Sequence, residues 1–372
     1  MLRIGFAKRA ITPPIGTPLG GYAARTEAAG AVHAELYCRC MAGQDENGDF
    51  VLVSLDLLGI DESLRLRMLE GVRANGMNLS AGRFSVWATH THSGPEGFPD
   101  HLHRGIWMSE SRPPNERLRE LTVRTTVAAI LEAKSEQVPA TLQWYRARCP
   151  AIASNRRNRE APHQPDVHLL EASDATGKVI GGMLHFACHP TVIGPYHFIS
   201  SDFAGAAIES LEQANRSGAV FLFANGAAGD VSTRWARRGD QPDEAERIGL
   251  ALAESLLIKR AIQPPSQLLP GIETSYASEH LMHSFTDRQD GQRLDGIFQT
   301  VYLNGVMLKL VPGELFASYA MSSSGTVIIG YANGYLGYMP DEASLAEGGY
   351  EIEACRLDAS ALHWIAHWLN RS

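Results

Sequence analysis

Short apolar runs alternate along this chain with longer segments whose apolar residues recur every three or four positions. The opening "RIGFAKRAITPP" reads as a strand running into a Pro-rich turn. "LYCRCMAG" and "FVLVSLDLLG" flank "DENGD", which predicts a hairpin. "SLRLRMLEGVRANG" has helical periodicity and ends at a glycine suited to a C-cap. "RFSVWATHTH" reads as a strand. The helical pattern "NERLRELTVRTTVAAILEAKSE" follows Pro113 and Pro114. "ATLQWYRAR", "VHLLEA" and "VIGGMLHFACH" read as strands, and the helix "FAGAAIESLEQANRSG" feeds the strand "AVFLFANG". "PDEAERIGLALAESLLIKRAI" is a further helix. "GVMLKLVPGE", "GTVIIGYANGYLGY" and a closing helix near "ALHWIAHWLN" complete the pattern. This order predicts an α/β fold, a mixed sheet with flanking helices. The Pro-rich stretch Ile262–Gly271 is the best candidate boundary. Strands on both sides of it favour a single large domain over residues 1–372.

Polar residues cluster where the strands run out, which is where binding crevices of open α/β sheets lie. His90 and His92 follow "FSVWA", and His189 follows "GGMLHFAC". Asn225 to Asp230 follow "AVFLF", Glu314 follows "VMLKLVPG", and Tyr335 and Tyr338 follow "TVIIGYAN". Side chains alternate faces along a strand, so His90 and His92 are expected to point the same way at its end. His90, His92, His189 and Glu314 match the ligand inventory of a catalytic zinc site; buried, hydrogen-bonded histidines are the plainer alternative. His185 falls within a strand and reads as such a core histidine. His101, His103, His163, His168 and His197 read as non-ligands. "GDVS" (Gly229–Ser232) lacks the nucleophile-elbow pattern, so Asp230 and Ser232 read as caps for the helix or turn after the strand.

Composition narrows the classes. The chain has 372 residues, 44% hydrophobic and 20% charged, as in an ordinary globular protein with a sizeable core. A formal net charge of -8 and the lack of any long Lys/Arg block argue against nucleic acid as a partner. No apolar run approaches the ~18 residues of a membrane span. The amino terminus carries no export-signal pattern, and five scattered cysteines suit reduced thiols, so a cytoplasmic location is expected.

The segments "GGYAAR" (Gly20–Arg25), "VLVSLDLLGI" (Val51–Ile60), "THTHSGPEG" (Thr89–Gly97), "HFACHPT" (His185–Thr191), "SSDFAG" (Ser200–Gly205), "ANGAAGDVS" (Ala224–Ser232), "VPGE" (Val311–Glu314) and "YANGYLGY" (Tyr331–Tyr338) occur in that order. Together they resemble the amino-terminal catalytic domain of the neutral (non-lysosomal) ceramidases, from residue 3 to about residue 355. The resemblance implies a zinc-dependent amidase that cleaves an N-acyl bond. It implies His90, His189, Glu314 and Tyr338 as zinc ligands, with His92 beside the metal and Arg156 and Tyr350 lining the reaction centre. An imidazole pKa near 6.5 would let His92 accept a proton from water and return it to the departing amine. Arg156 and Tyr350 would donate to the developing oxyanion. The spacing leaves open the converse, in which His92 is a ligand and Tyr338 an oxyanion donor.

The chain also departs from that family, whose members are usually secreted or membrane-associated and carry a carboxyl-terminal immunoglobulin-like domain. No such domain is expected here. "MPDEASLAEGGYE" replaces a Thr- and Glu-rich stretch, and "NRRNRE" lacks the family's continuation after its "NR" pair. The expected partner is therefore a small-molecule or lipid N-acyl substrate more polar than ceramide. A zinc esterase or other hydrolase on the same scaffold, or a non-catalytic metal- or ligand-binding protein, are the alternatives.

Overall fold

The structure, a computed structural model, describes residues 2–98, 115–149, 151–216, 218–262, 276–323 and 325–371. Eight of the apolar runs form one sheet: β1 (Arg3–Ala10), β2 (Tyr37–Asp45), β3 (Gly48–Leu55), β4 (Phe84–Ala88), β5 (Val138–Arg148), β6 (Asp166–Asp174), β7 (Val179–Phe186) and β8 (Val220–Asn225). Their order across the sheet is β8-β7-β6-β5-β1-β2-β3-β4. The β8/β7 and β3/β4 pairs are parallel and the rest antiparallel, so the sheet is mixed, as the sequence predicts.

Helices α1 (Glu62–Ala74), α2 (Glu116–Ser135), α3 (Asp202–Asn215) and α4 (Pro242–Ile262) cover one face of this sheet. Val53, Leu55 and Val86 share a core with Met68 of α1 and Ile130 of α2. Leu184, Phe221 and Phe223 share another with Ile208 of α3 and Leu252 of α4. The opposite face is covered by a second sheet of β9 (Tyr276–Thr286), β10 (Arg293–Leu303), β11 (Val306–Leu310) and β12 (Thr326–Ile329). Met41, Leu52, Trp87 and Leu222 pack there against Val301, Leu308 and Ile329. The Trp144 indole donates across the interface to the Leu303 carbonyl (3.0 Å). Burial of both faces explains why runs such as "FVLVSL" are continuously apolar rather than alternating.

Three short helices follow, α5 (Ala317–Ser322), α6 (Glu342–Glu347) and α7 (Tyr350–Ala354), and then α8 (Ala359–Leu369). Trp364 and Trp368 of α8 set their rings edge-on to Phe298 on the outer side of the second sheet. The β9/β10 pair has no counterpart in the sequence reading. Its outer strand exposes Glu279 to Met282 in succession, so apolar alternation is lost and only pairing with β10 makes it a strand.

His185 is the core histidine expected. It donates from Nε2 to the Ile328 carbonyl (2.8 Å) and meets His168 through Nδ1 (3.2 Å), bridging the two sheets. All five cysteines are buried without disulfides. Among the described residues no helix is long and apolar enough to cross a membrane. His101, His103 and the candidate boundary beyond Ile262 lie outside the described residues.

Candidate metal centre

The strand predicted over "RFSVWATHTH" stops at Ala88. Thr89 N–H donates to the Leu55 carbonyl, the last rung of the β3/β4 ladder, and His90 N–H to the Leu57 carbonyl beyond the end of β3, both at 2.9 Å. His90 has a φ of 70°, in the left-handed region that few non-glycine residues occupy. The expectation that both histidines share a strand face is therefore wrong. They converge through a turn instead, with ring centroids 4.8 Å apart, planes at 85° and Nε2 atoms at 3.2 Å.

Neighbouring loops hold this turn. The Thr91 hydroxyl donates to the Ser200 carbonyl (2.6 Å). Asn225, at the end of β8, donates to the carbonyls of Thr89 (3.2 Å) and Cys188 (3.1 Å), tying the loop of His90 to that of His189. Arg25 is buried and donates to the carbonyls of Gly20 (2.7 Å), His92 (2.8 Å) and Tyr196 (2.9 Å).

Each of the three imidazoles places Nδ1 against a backbone carbonyl: His90 on Leu58 (2.6 Å), His92 on Gly21 (2.9 Å) and His189 on Ala228 (2.6 Å). A carbonyl only accepts, so the proton sits on Nδ1 and the Nε2 lone pairs face inward. One nitrogen from each ring falls within 4.8 Å of the others, all three residues being buried. Glu314 completes the cluster. Its Oε2 lies 3.0 Å from His189 Nε2 and 3.3 Å from His90 Nε2, while the Tyr335 hydroxyl donates to its Oε1. The pairing of Glu314–Leu315 with Tyr338–Met339 sets that carboxylate beside the tyrosines. Tyr331 stacks on His90, with centroids 4.0 Å apart.

Burial alone would raise the Glu314 carboxyl, but the His90 and His189 imidazoles overcome it and hold it well below the usual carboxylate range. Burial, then the Arg156 charge, pushes His189 down to about 4. Burial and the neighbouring His90 and His189 lower His92 well below 6.5, so the ordinary imidazole value expected from sequence does not hold. A carboxylate and three imidazoles, each ring fixed by a carbonyl on its far nitrogen, are the donor set of a metal site. His189 Nε2 and Glu314 Oε2 are moreover buried with no hydrogen-bond donor, and two acceptors at 3.0 Å repel unless a cation lies between them. The residues fit a metal.

The other predicted residues flank this cluster. Arg156 donates to the Tyr338 hydroxyl (2.8 Å), the Gly229 carbonyl (2.8 Å) and Glu351 (2.9 Å). Burial and Glu314 raise the Tyr338 hydroxyl well above 10, and Arg156 opposes that rise. Tyr350 is half exposed and sets its ring edge-on to Tyr338, 5.9 Å between centroids. Asp230 does not cap the turn after its own strand; it accepts from the Ala317 amide (2.8 Å) at the start of α5 and from Asn155 (2.6 Å). Ser232 does cap that turn, accepting from the Arg234 amide (3.2 Å). Sequence reasoning overlooked Arg25 and Tyr331 and gave Tyr335 no role, although all three lie in segments already singled out.

Gly21 has a φ of 97°, and a Cβ there would sit 2.7 Å from the His92 ring. Gly21→Ala should therefore lower stability by about 1–3 kcal/mol through backbone strain and overpacking. It should also cut turnover by displacing His92, while His90, His189 and Glu314 keep the metal. A thermal melt with metal analysis checks this; a variant as stable and active as the parent would refute it.

Comparison with known proteins points to one family. The family model described as neutral/alkaline non-lysosomal ceramidase, N-terminal, matches residues 2–244, a span that includes His90, His92, Arg156 and His189. A neutral ceramidase of Pseudomonas aeruginosa is 25% identical over 248 residues, 62% of this chain and 37% of that protein's length. The crystal structure of neutral ceramidase from Pseudomonas aeruginosa superposes with a TM-score of 0.83 over 99% of this chain and 73% of that one, at 19% identity. A ceramidase complexed with C2 gives the same score and identity over 99% and 74%. These superpositions establish a shared fold across the second sheet as well, and over the segments of Glu314, Tyr338 and Tyr350, which lie beyond the residues the family model matches. With more than half of its length matched by the family model, the chain belongs to the neutral/alkaline non-lysosomal ceramidase family.

Proposed function

We propose that this chain is a zinc-dependent hydrolase of N-acyl amide bonds, with His90, His189, Glu314 and Tyr338 as the metal ligands. The observation that carries this reading is the buried pair His189 Nε2 and Glu314 Oε2, two acceptors turned on one point without a donor. Zinc held there would supply Lewis acidity and activate water near neutral pH. His92, kept neutral by burial, takes a proton from water at Nε2 and returns it to the departing amine nitrogen. Arg156 spends Nε and Nη2 on Glu351, Gly229 and Tyr338, which leaves Nη1 to donate to the substrate oxygen beside Tyr350.

A second reading makes His92 a ligand and Tyr338 an oxyanion donor. The 3.2 Å approach of the His92 and His90 Nε2 atoms favours it. In both readings the substrate is an amide more polar than ceramide, because most of the residues lining the cavity beside Arg156 and Tyr350 are charged or polar.

The test is hydrolysis of N-octanoyl amides and a matched octanoyl ester before and after chelation. Amide cleavage should vanish on metal removal and return with zinc. Cleavage of the ester alone would favour an esterase, and activity indifferent to chelation would overturn the metal-dependent reading.

A further inference from the structure

Beside the metal centre lies a cavity of 1120 Å³. Arg156 and Tyr350 line it, and through them it abuts Tyr338. Four carboxylates line it too, and each has partners. Glu351 is paired with Arg156 and Arg157, and Glu347 with Arg157. Asp230 accepts from the Ala317 amide and Asn155, and Asp341 from the Ser344 amide and the Ser318 hydroxyl. The charges of Arg156 and Arg157 are thus paired within the protein, Arg156 keeping only Nη1 for the substrate oxygen.

Arg234 lines the same cavity and differs from both. Its guanidinium lies 4.8 Å from the ring of Trp235, and it has no carboxylate partner among the described residues. A planar guanidinium with its donors unspent matches the oxygens of a carboxylate or phosphate, while a neutral hydroxyl offers it little. Met321, Pro162 and Ala343 add apolar side chains to the cavity wall, against which an acyl chain could lie.

We propose that the substrate is an amide bearing an oxyanion, carboxylate or phosphate, and that Arg234 is the residue that recognises it. This inference rests on the hydrolase reading above for its chemistry, but its binding step does not. The oxyanion engages Arg234 on the cavity wall and the amide lies toward Arg156 and Tyr350. Selectivity thereby falls on molecules in which an anionic group and an acyl amide occur together, as in an N-acylated amino acid. Arg234 is solvent-accessible, so the contact is screened and its effect modest.

The experiment compares two matched pairs: N-octanoylglycine with N-octanoylglycinamide, and N-octanoylethanolamine phosphate with N-octanoylethanolamine. Binding is read by calorimetry and turnover by kcat/KM, on the full chain and on Arg234→Gln and Arg234→Lys. The parent should prefer the anionic member of at least one pair by roughly tenfold. The pair that shows it distinguishes a carboxylate from a phosphate. Arg234→Gln should bring that ratio close to one, and Arg234→Lys should restore part of it. Equal binding within both pairs, or a preference that survives Arg234→Gln, would overturn the proposal. Selective binding without hydrolysis of any amide would overturn the hydrolase reading and leave the oxyanion site standing.

Discussion

Replacing His189 with alanine should release the metal and abolish turnover together. His189 is fully buried and contributes one of the two inward acceptors without a donor, the other being Glu314 Oε2. Its ring is held from behind by the carbonyls of Ala228 (2.6 Å) and Val231 (3.2 Å), which aims Nε2 at Glu314. Metal-assisted hydrolysis draws several kcal/mol of its barrier reduction from the ion, and each 1.36 kcal/mol is tenfold in rate. The expected loss is therefore at least ~10³-fold, with metal content falling from about one per chain toward none. His185→Gln is the control: it alters an equally buried imidazole but keeps a donor for the Ile328 carbonyl, and it should retain the metal. Full metal occupancy in His189→Ala would sink the proposed ligand set.

His92→Ala should keep the metal and lose rate by roughly 10²–10⁴-fold, the range typical of a lost general acid or base. The ring sits between the Gly21 carbonyl at Nδ1 and the proposed metal-binding face at Nε2, with the Tyr22 ring edge-on and its centroid 5.2 Å away. That is suitable footing for a proton acceptor. The base works only when neutral, and its pKa is depressed by burial and by the neighbouring imidazoles. Rate should therefore hold steady as pH falls past 6.5 and decline only at the lowered value, measured with zinc in excess. In His92→Ala that acid limb should be absent. If His92→Ala instead loses metal as fully as His189→Ala, His92 is a ligand and the proton passes through another group.

Much of the site was legible because chemistry at strand ends leaves a local mark. His189, Asn225 and Glu314 each follow an apolar run closely, and their residue types name the chemistry they suit. The same signal failed for the geometry of His90. Alternation along "RFSVWATHTH" predicts a shared strand face, whereas the strand ends at Ala88 and His90 turns with a φ of 70°. Arg25 was equally hidden. An arginine in a polar loop reads as solvated, and only the folded chain shows it buried on three carbonyls, one of them that of His92.

The sequence by itself determined most of the alternation of strands and helices, the mixed α/β class and the residue types at the candidate metal centre. Apolar periodicity and side-chain chemistry are local properties, written wherever the residue stands. Tertiary structure alone decided that His90, His92, His189 and Glu314 meet at one point, that a second sheet backs the first, and that Arg234 shares a cavity with Arg156. Those outcomes depend on which loops pack together. Contacts between residues far apart in the chain are set by the burial of whole faces, and no short window of sequence records that. The left-handed turn at His90 and the tight approach of Gly21 to His92 belong to this second class. A backbone conformation that costs energy locally persists only where the surrounding contacts hold it.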